Sequence, residues 1–124
     1  MATHVPTPTE INFHQQSRRL DVSFETGEQF SFTCEFLRVY SPSAEVRGHG
    51  VGQEVLQYGK ADVNIDKIEP IGNYAIRLTF DDGHDTGLYS WEWLHYLGKN
   101  QDKLWQEYLD QLAKAGKQRA PVTN

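Results

Sequence analysis

The spacing of apolar residues changes near Ser90, and this change most constrains the fold. Before Ser90, apolar and polar residues alternate in two segments, which is typical of strands buried on one face. After Ser90, apolar residues recur at every third or fourth position, which is helical spacing. Strands followed by helices predict a two-layer α+β domain, in which a mainly antiparallel β-sheet packs against the C-terminal helices.

The alternating segments predict two hairpins. Leu20, Val22 and Phe24 lead into the turn sequence ETGE. The following FSFTCEF would place four apolar side chains on one strand face: Phe30, Phe32, Cys34 and Phe36. A later strand is predicted from the alternation of Tyr74, Ile76, Leu78 and Phe80. Asp82-Gly83 then favours a two-residue turn in which both residues have positive φ.

Local end signals predict two helices after the strands. Ser90 is a suitable N-cap for a short helix over residues 91–97, and Gly98 is a suitable residue to end it. A second helix is predicted from about Asn100, and Gly116 ends its apolar stripe. The apolar face of this helix should pack on the sheet.

The length and the terminal sequences predict a single domain. A chain of 124 residues with 38% apolar content can form one core but not two. Residues 1–10 are expected to be a flexible N-terminal tail, because they contain prolines and threonines without periodicity. Residues 11–116 form the predicted domain, and residues 117–124 are expected to be a flexible C-terminal tail.

Charge and composition disfavour several classes of function. The net charge of −5 gives no field that would attract nucleic acid or an anionic membrane. No apolar run is long enough to cross a bilayer, and the N-terminus lacks the features of a signal peptide, so we expect a cytoplasmic protein. The lone Cys34 excludes an internal disulfide and is expected to be a packed small hydrophobe.

The segment LRVYSPSAEVRGHGVGQEVLQYGK lacks periodicity and is predicted to be a long connection. Loops of this length in compact domains are often functional. The alternative is a loop that only turns on its glycines, and the sequence does not separate the two. If the loop is functional, the candidate residues are Ser41, Ser43, Glu45, Arg47 and His49.

His84 is the centre of two chemical hypotheses. With Asp81, Asp82 or Asp85 it has the residue types of an acid/base pair, but no nucleophile or oxyanion donor is recognisable, so we expect no catalysis. His84 and His49 could instead bind a metal, with Glu45 or an aspartate adding oxygen ligands. The histidines have no local ligand spacing, so this site requires the long loop to fold against the hairpin.

The aromatic residues around the short helix predict an interaction surface. These residues are Tyr89, Trp91, Trp93 and Tyr96. Trp91 and Trp93 point to different sides of a helix, so they cannot both be buried against one sheet. Aromatic residues are frequent at binding hot spots, although most tryptophans in small domains belong to the core.

Two stretches, FLRVYSPSAEVRGHG and IEPIGNYAIRLTFDDGHDTGLYSWEWLHYLG, and the spacing between them resemble the domain at the N-terminus of gamma-butyrobetaine hydroxylase, in its stand-alone bacterial form. The resemblance covers about residues 11–98. In the hydroxylases this domain precedes the iron- and 2-oxoglutarate-dependent oxygenase domain. Because that second domain is missing from this sequence, the resemblance implies no oxygenase activity here.

The resemblance also implies where a metal would lie. The family domain holds a structural zinc through three cysteines in the loop after the LR dipeptide and one histidine in the DGH stretch. His84 matches the histidine, but the cysteine positions fall on Ser41, Ser43 and Val46. Three of the four ligands are absent, so the zinc is not carried over. Related domains fused to ATPases of the iron–sulfur cluster carrier type suggest a role in protein contacts.

These observations predict a non-catalytic accessory domain that binds an unidentified protein partner, in iron–sulfur protein or iron-enzyme assembly. The predicted interaction surface comprises Ser43, Glu45, Arg47, His49, Asp82, His84, Asp85, Tyr89, Trp91 and Trp93. The alternative is a metal-binding domain that holds zinc or iron through His84 and His49.

Overall fold

The computed structural model describes residues 4–48 and 54–121. The elements are strands β1 (Pro8–His14), β2 (Arg19–Phe24) and β3 (Gln29–Thr33), helices α1 (Cys34–Val39) and α2 (Ala44–Arg47), strands β4 (Ile65–Ile71), β5 (Ala75–Phe80) and β6 (Leu88–Ser90), and helices α3 (Trp91–Lys99) and α4 (Gln101–Ala115). The predicted α+β class is confirmed. The strands form two antiparallel sheets instead of one, in the orders β1-β2-β3 and β4-β5-β6.

One main core joins the two sheets to the helices. Its buried side chains come from strands of both sheets, from α1, from α3 and from the beginning of α4, and they include Leu20, Val22, Phe32, Leu37, Leu78, Phe80, Leu94, Leu97 and Leu104. A smaller cluster of Val39, Tyr108 and Leu112 lies between α1 and α4. None of the helices in the described ranges combines the length and the apolar character needed to span a membrane.

The predicted strand through Cys34 and Phe36 is wrong beyond Thr33. Helix α1 begins at Cys34, because the Thr33 hydroxyl caps it by accepting a hydrogen bond from the Phe36 N–H at 3.0 Å. All six residues of α1 are buried, including Glu35 and Arg38, which form ion pairs with Arg119 and Asp82, so the helix has no solvent-exposed face. Cys34 is packed in the core as expected, and burial raises the pKa of its thiol to about 11.

The predicted two-residue turn at Asp82-Gly83 is also wrong. A longer connection over residues 81–87 joins β5 to β6. Gly83 has a φ of 91°, but Asp82 does not have positive φ. The Asp82 carboxylate instead accepts a hydrogen bond from the His84 N–H at 3.1 Å, and Arg38 and Lys60 contact the same carboxylate. Local hydrogen bonds and contacts from distant parts of the chain therefore determine this turn together.

The helix boundaries follow the predictions at three of four ends. Ser90 caps α3 by accepting from the Trp93 N–H at 3.1 Å, α4 begins at Gln101, and Gly116 ends α4 in the left-handed conformation with φ 65°. Gly98 does not end α3, which continues to Lys99. A Cβ at position 98 would overlap the Phe30 ring, so a glycine is needed here for α3 to pack closely against Phe30.

Parts of both predicted tails are held by backbone hydrogen bonds. Strand β1 already begins at Pro8, before the expected boundary at Ile11. At the other end, Gln118 and Arg119 accept backbone hydrogen bonds from Gly59 and Ala61, each at 3.0 Å. Residues 8–10 and 117–119 therefore belong to the folded unit.

The predicted long connection contains regular structure. Its first residues complete α1, and Ala44–Arg47 form α2, which Ser43 caps by accepting from the Glu45 N–H at 3.1 Å. Residues 49–53 lie outside the described ranges. The segment 41–47 thus contains a short helix with an N-cap, which can hold side chains in fixed positions.

Candidate functional site

The 41–47 segment packs against the 82–86 loop. The Ser43 and Thr86 hydroxyls lie 2.6 Å apart, and the Arg38 Nε donates to the Asp82 carboxylate at 2.8 Å. Two segments that are 40 or so residues apart therefore form one site.

The His84 imidazole lies at the centre of this site. Its side chain is only 3% exposed. Nδ1 lies 3.1 Å from the Glu45 carboxylate, and Nε2 lies 2.8 Å from the Ser41 hydroxyl. Burial and the nearby Arg38 guanidinium lower the pKa of His84, despite the opposing effect of Glu45. The imidazole is therefore neutral at pH 7, with Nδ1–H donating to Glu45 and the Ser41 hydroxyl donating to Nε2.

The order Ser41, His84, Glu45 resembles the hydroxyl, imidazole and carboxylate arrangement that activates a serine nucleophile. Ser41, however, is fully buried. A Cβ at Gly87 would overlap the Ser41 hydroxyl, which shows how closely the 82–88 segment covers it. A substrate carbonyl has no path to this oxygen, so the arrangement is a structural network.

Arg38 and Lys60 hold the loop from a second side. Arg38 is only 9% exposed at its side chain, and Lys60 donates to the same Asp82 oxygen at 2.6 Å. Burial raises the pKa of Asp82, but the hydrogen bonds from Lys60, the His84 N–H and Arg38 outweigh it and lower the pKa to about 2. Sequence reasoning missed Arg38, although a charged residue directly between the apolar Leu37 and Val39 is a sign of a buried ion pair.

The structure divides the remaining predicted surface residues into three groups. Tyr89 is wrong as a surface residue, because it is fully buried and its hydroxyl donates to the Leu37 carbonyl at 2.5 Å. Ser43 and His84 are likewise buried and support the site from within. Glu45, Asp82 and Asp85 reach the surface, whereas His49 lies outside the described residues.

The two tryptophans contact different parts of the protein, as their spacing predicts. The Trp91 indole N–H donates to the Asn73 carbonyl at 2.8 Å, beside the β4–β5 turn. The Trp93 indole N–H donates to the Tyr40 carbonyl at 2.9 Å, at the end of α1. Trp93 therefore lies beside the 41–47 segment and Trp91 does not.

Four residues form a partly exposed surface at this end of α1, which we call the aromatic patch: Tyr40, Arg47, Trp93 and Tyr96. Tyr96 is 45% exposed and stacks on Trp93 at 5.4 Å between ring centroids. The Arg47 guanidinium lies over the Tyr40 ring at 5.4 Å. Beside the patch is a groove of about 650 Å³ between α1, residues 54–57 and α4, which Tyr40 and Arg47 also line.

The residues present do not fit the zinc that the family resemblance implies. Ser41 and Ser43 are buried with the His84 imidazole, and the third position is the buried Val46. Hydroxyls are poor zinc ligands and a valine is none. Within residues 4–48 and 54–121, no three His, Cys, Asp or Glu side chains converge closely enough to hold a metal ion. The alternative site of His84 with His49 stays a prediction.

Comparison with known proteins agrees with this description of the fold. Residues 11–95 match the family described as gamma-butyrobetaine hydroxylase-like, N-terminal. The chain is similar to two proteins with NMR solution structures. One is 45% identical with a TM-score of 0.83, over 98% of this chain and 95% of the other. The second is 50% identical with a TM-score of 0.81, over 100% of this chain and 94% of the other.

The chain is also similar to a crystal structure of a protein of unknown function from Acidithiobacillus ferrooxidans, which belongs to the DUF971 family. The two are 35% identical with a TM-score of 0.62, over 74% of this chain and 92% of the other. No curated protein matches the chain. The match over residues 11–95 confirms the resemblance inferred from the sequence, and the chain belongs to the gamma-butyrobetaine hydroxylase-like N-terminal domain family.

Proposed function

We propose that this chain is a non-catalytic accessory domain that binds a partner protein through the aromatic patch and the adjoining 82–86 loop. The observation that carries the proposal is a difference in burial between the groups with catalytic residue types and the aromatic patch. The Ser41 hydroxyl and the His84 imidazole are closed inside the fold, whereas Tyr96 is exposed and Trp93 and Arg47 are partly exposed beside it.

The chemistry of the aromatic patch supports protein binding. Tryptophan, tyrosine and arginine are the residues that most often dominate the binding energy of protein interfaces. Here their positions are fixed before a partner binds, because Trp93 donates to the Tyr40 carbonyl and Arg47 donates to the Val39 carbonyl at 3.0 Å. Fixed side chains lose less entropy on binding, which favours affinity.

The proposed partner is a protein of iron–sulfur cluster or iron-enzyme assembly in the cytoplasm. The support for this class is the family relationship, since the family takes its name from the N-terminal domain of gamma-butyrobetaine hydroxylase. By the resemblance described above, that domain precedes an iron-dependent oxygenase domain in the hydroxylases. Two purified candidates are the direct test: an ATPase of the iron–sulfur cluster carrier type and an iron-dependent oxygenase domain.

The docking face can be tested by photocrosslinking in the full chain. A benzophenone amino acid at position 96 should crosslink to the partner, whereas the same group at Tyr74 should not. Tyr74 is a matched control, because it is also an exposed tyrosine, at 54% against 45% exposure, but lies at the β4–β5 turn. Equal crosslinking from both positions would overturn the assignment of this face.

A second pair of variants tests the contribution of the fixed side chains. Arg47→Ala and Trp93→Phe should each weaken binding to the crosslinked partner by roughly tenfold or more, as is typical of hot-spot residues. Tyr74→Ala, which removes an exposed side chain at the β4–β5 turn, is the control and should leave binding unchanged. Binding that responds equally to all three variants would contradict the proposal.

A further inference from the structure

We infer that the Ser41, Ser43 and His84 network has replaced a metal centre, and that the backbone around it still has the geometry of one. Cysteines at positions 41, 43 and 46 would then recreate a zinc site with His84 as the fourth ligand. The inference is independent of the proposed docking function.

The orientation of His84 is the first support. A metal-binding histidine usually donates its second ring N–H to a carboxylate, which fixes the ring and directs the other nitrogen at the metal. His84 has this arrangement, because Nδ1 pairs with Glu45 and Nε2 points inward. The atom that Nε2 meets is the Ser41 hydroxyl, which takes the place of a metal ligand.

The backbone of the 41–47 segment is the second support. The Ser43 N–H donates to the Ser41 hydroxyl at 3.2 Å, and the Val46 N–H donates to the Ser43 carbonyl at 3.0 Å, so the segment folds back on itself. Positions 41, 43 and 46 are at most 6% exposed. A thiolate at each position would therefore be shielded from water.

The polar network explains how the loop stays closed with these residues. The Ser41 hydroxyl donates to Nε2 and accepts from the Ser43 N–H, and the Ser43 hydroxyl pairs with Thr86. These buried polar groups thus have partners, as a buried network requires. Val46 contributes only packing, which fits a position whose ligand role has been lost.

The test is the metal content of the full chain without a His tag, for the wild type and the variant Ser41→Cys/Ser43→Cys/Val46→Cys. The triple variant should hold about one zinc ion per chain, and its cobalt form should show thiolate-to-metal absorption. Adding His84→Ala to the triple variant should abolish stoichiometric binding. Adding Glu45→Ala should weaken it by roughly tenfold, because Glu45 only orients the ring.

Folding is tested separately with the double variant Ser41→Cys/Ser43→Cys, which keeps Val46 in the core. It should remain folded by circular dichroism and bind zinc more weakly than the triple variant. A triple variant that folds only with zinc also supports the inference, since metal binding is coupled to folding. A triple variant that binds no zinc, whether folded or unfolded, would overturn it.

The wild type gives the opposite arm of the experiment. It should contain zinc and iron far below one equivalent. Stoichiometric metal in the wild type that falls in both His84→Ala and His49→Ala would overturn the replacement of the metal, and would support a site formed by these two histidines. Zinc binding by the triple variant that does not depend on His84 would also contradict the inference.

Discussion

At the scale of single residues, His84 links the two halves of the site and makes stability depend on pH. Its imidazole is buried and neutral, between the Ser41 hydroxyl and the Glu45 carboxylate. Burial and the Arg38 charge lower its pKa below the ordinary value of 6.5. The unfolded chain therefore binds this proton more readily than the folded chain does.

This difference predicts that the protein loses stability below about pH 6.5. The stabilisation by neutral His84 is complete above that pH and is lost as the pH falls towards the lower pKa of the folded state. Urea unfolding of the wild type should show this decrease as the pH falls below about 6.5. His84→Gln should lose that part of the slope, whereas His14→Gln, at an exposed site, should retain it. An unchanged slope in His84→Gln would contradict the assignment.

The Ser41 hydroxyl should contribute measurably to stability. Ser41→Ala leaves Nε2 of His84 buried without its donor, which costs about 1–3 kcal/mol in unfolding free energy. Ser17→Ala, at an exposed turn, is the control and should change stability by less than about 0.5 kcal/mol.

A fluorophosphonate probe should not label Ser41 in the folded wild type, and labelling would disprove the closed network.

The candidate site could be predicted in part from these residues. His84 and Ser43 were identifiable by residue type and by family resemblance, and both lie in the site. Their burial, the pairing of Ser41 with Nε2 and the role of Arg38 were not predictable, because each depends on a contact between segments far apart in sequence. Tyr89 fails for the same reason, since its polar end bonds to the Leu37 carbonyl inside the core.

At the scale of elements, local signals predicted boundaries that depend on local hydrogen bonds. The Ser90 cap and the Gly116 end of α4 are correct because neighbouring backbone groups determine them. The prediction that Gly98 ends α3 is wrong, because a glycine is needed there for close packing against the distant Phe30 ring. The predicted strand through Cys34 is wrong because a buried helix and a buried strand have similar sequences over a few residues.

The contact of Gly98 with Phe30 predicts an unusual result for a helix substitution. Gly98→Ala should gain about 1 kcal/mol of helix propensity. It should nevertheless destabilise the protein by about 1–3 kcal/mol, because the added methyl overlaps the Phe30 ring. Thermal unfolding of Gly98→Ala, Phe30→Leu and the double variant should show that Phe30→Leu recovers part of the loss. Additive effects of the two substitutions would rule out this contact as the cause.

At the scale of the whole molecule, the C-terminal segment closes the fold. The Arg119 guanidinium donates two hydrogen bonds, at 2.7 and 2.9 Å, to Glu35, which is only 5% exposed in the buried helix α1. It also lies over the Trp105 ring of α4 at 5.0 Å. The residues expected to form a flexible tail thus connect α1 with α4, outside the region of 11–95 that matches the family.

Removing the Arg119 side chain should therefore destabilise the whole molecule. Arg119→Ala leaves the buried Glu35 carboxylate without its counterion, and we expect a loss of about 2–3 kcal/mol, reduced from the buried-pair range because Arg119 is 46% exposed. Lys117→Ala removes a surface cation over Tyr58 and should cost less than about 1 kcal/mol. Glu35→Gln combined with Arg119→Ala should recover part of the loss, because the charge that lacks a partner is gone. Urea unfolding of the wild type and the three variants measures these differences. Equal effects of Arg119→Ala and Lys117→Ala would show that Glu35 does not hold the C-terminal segment.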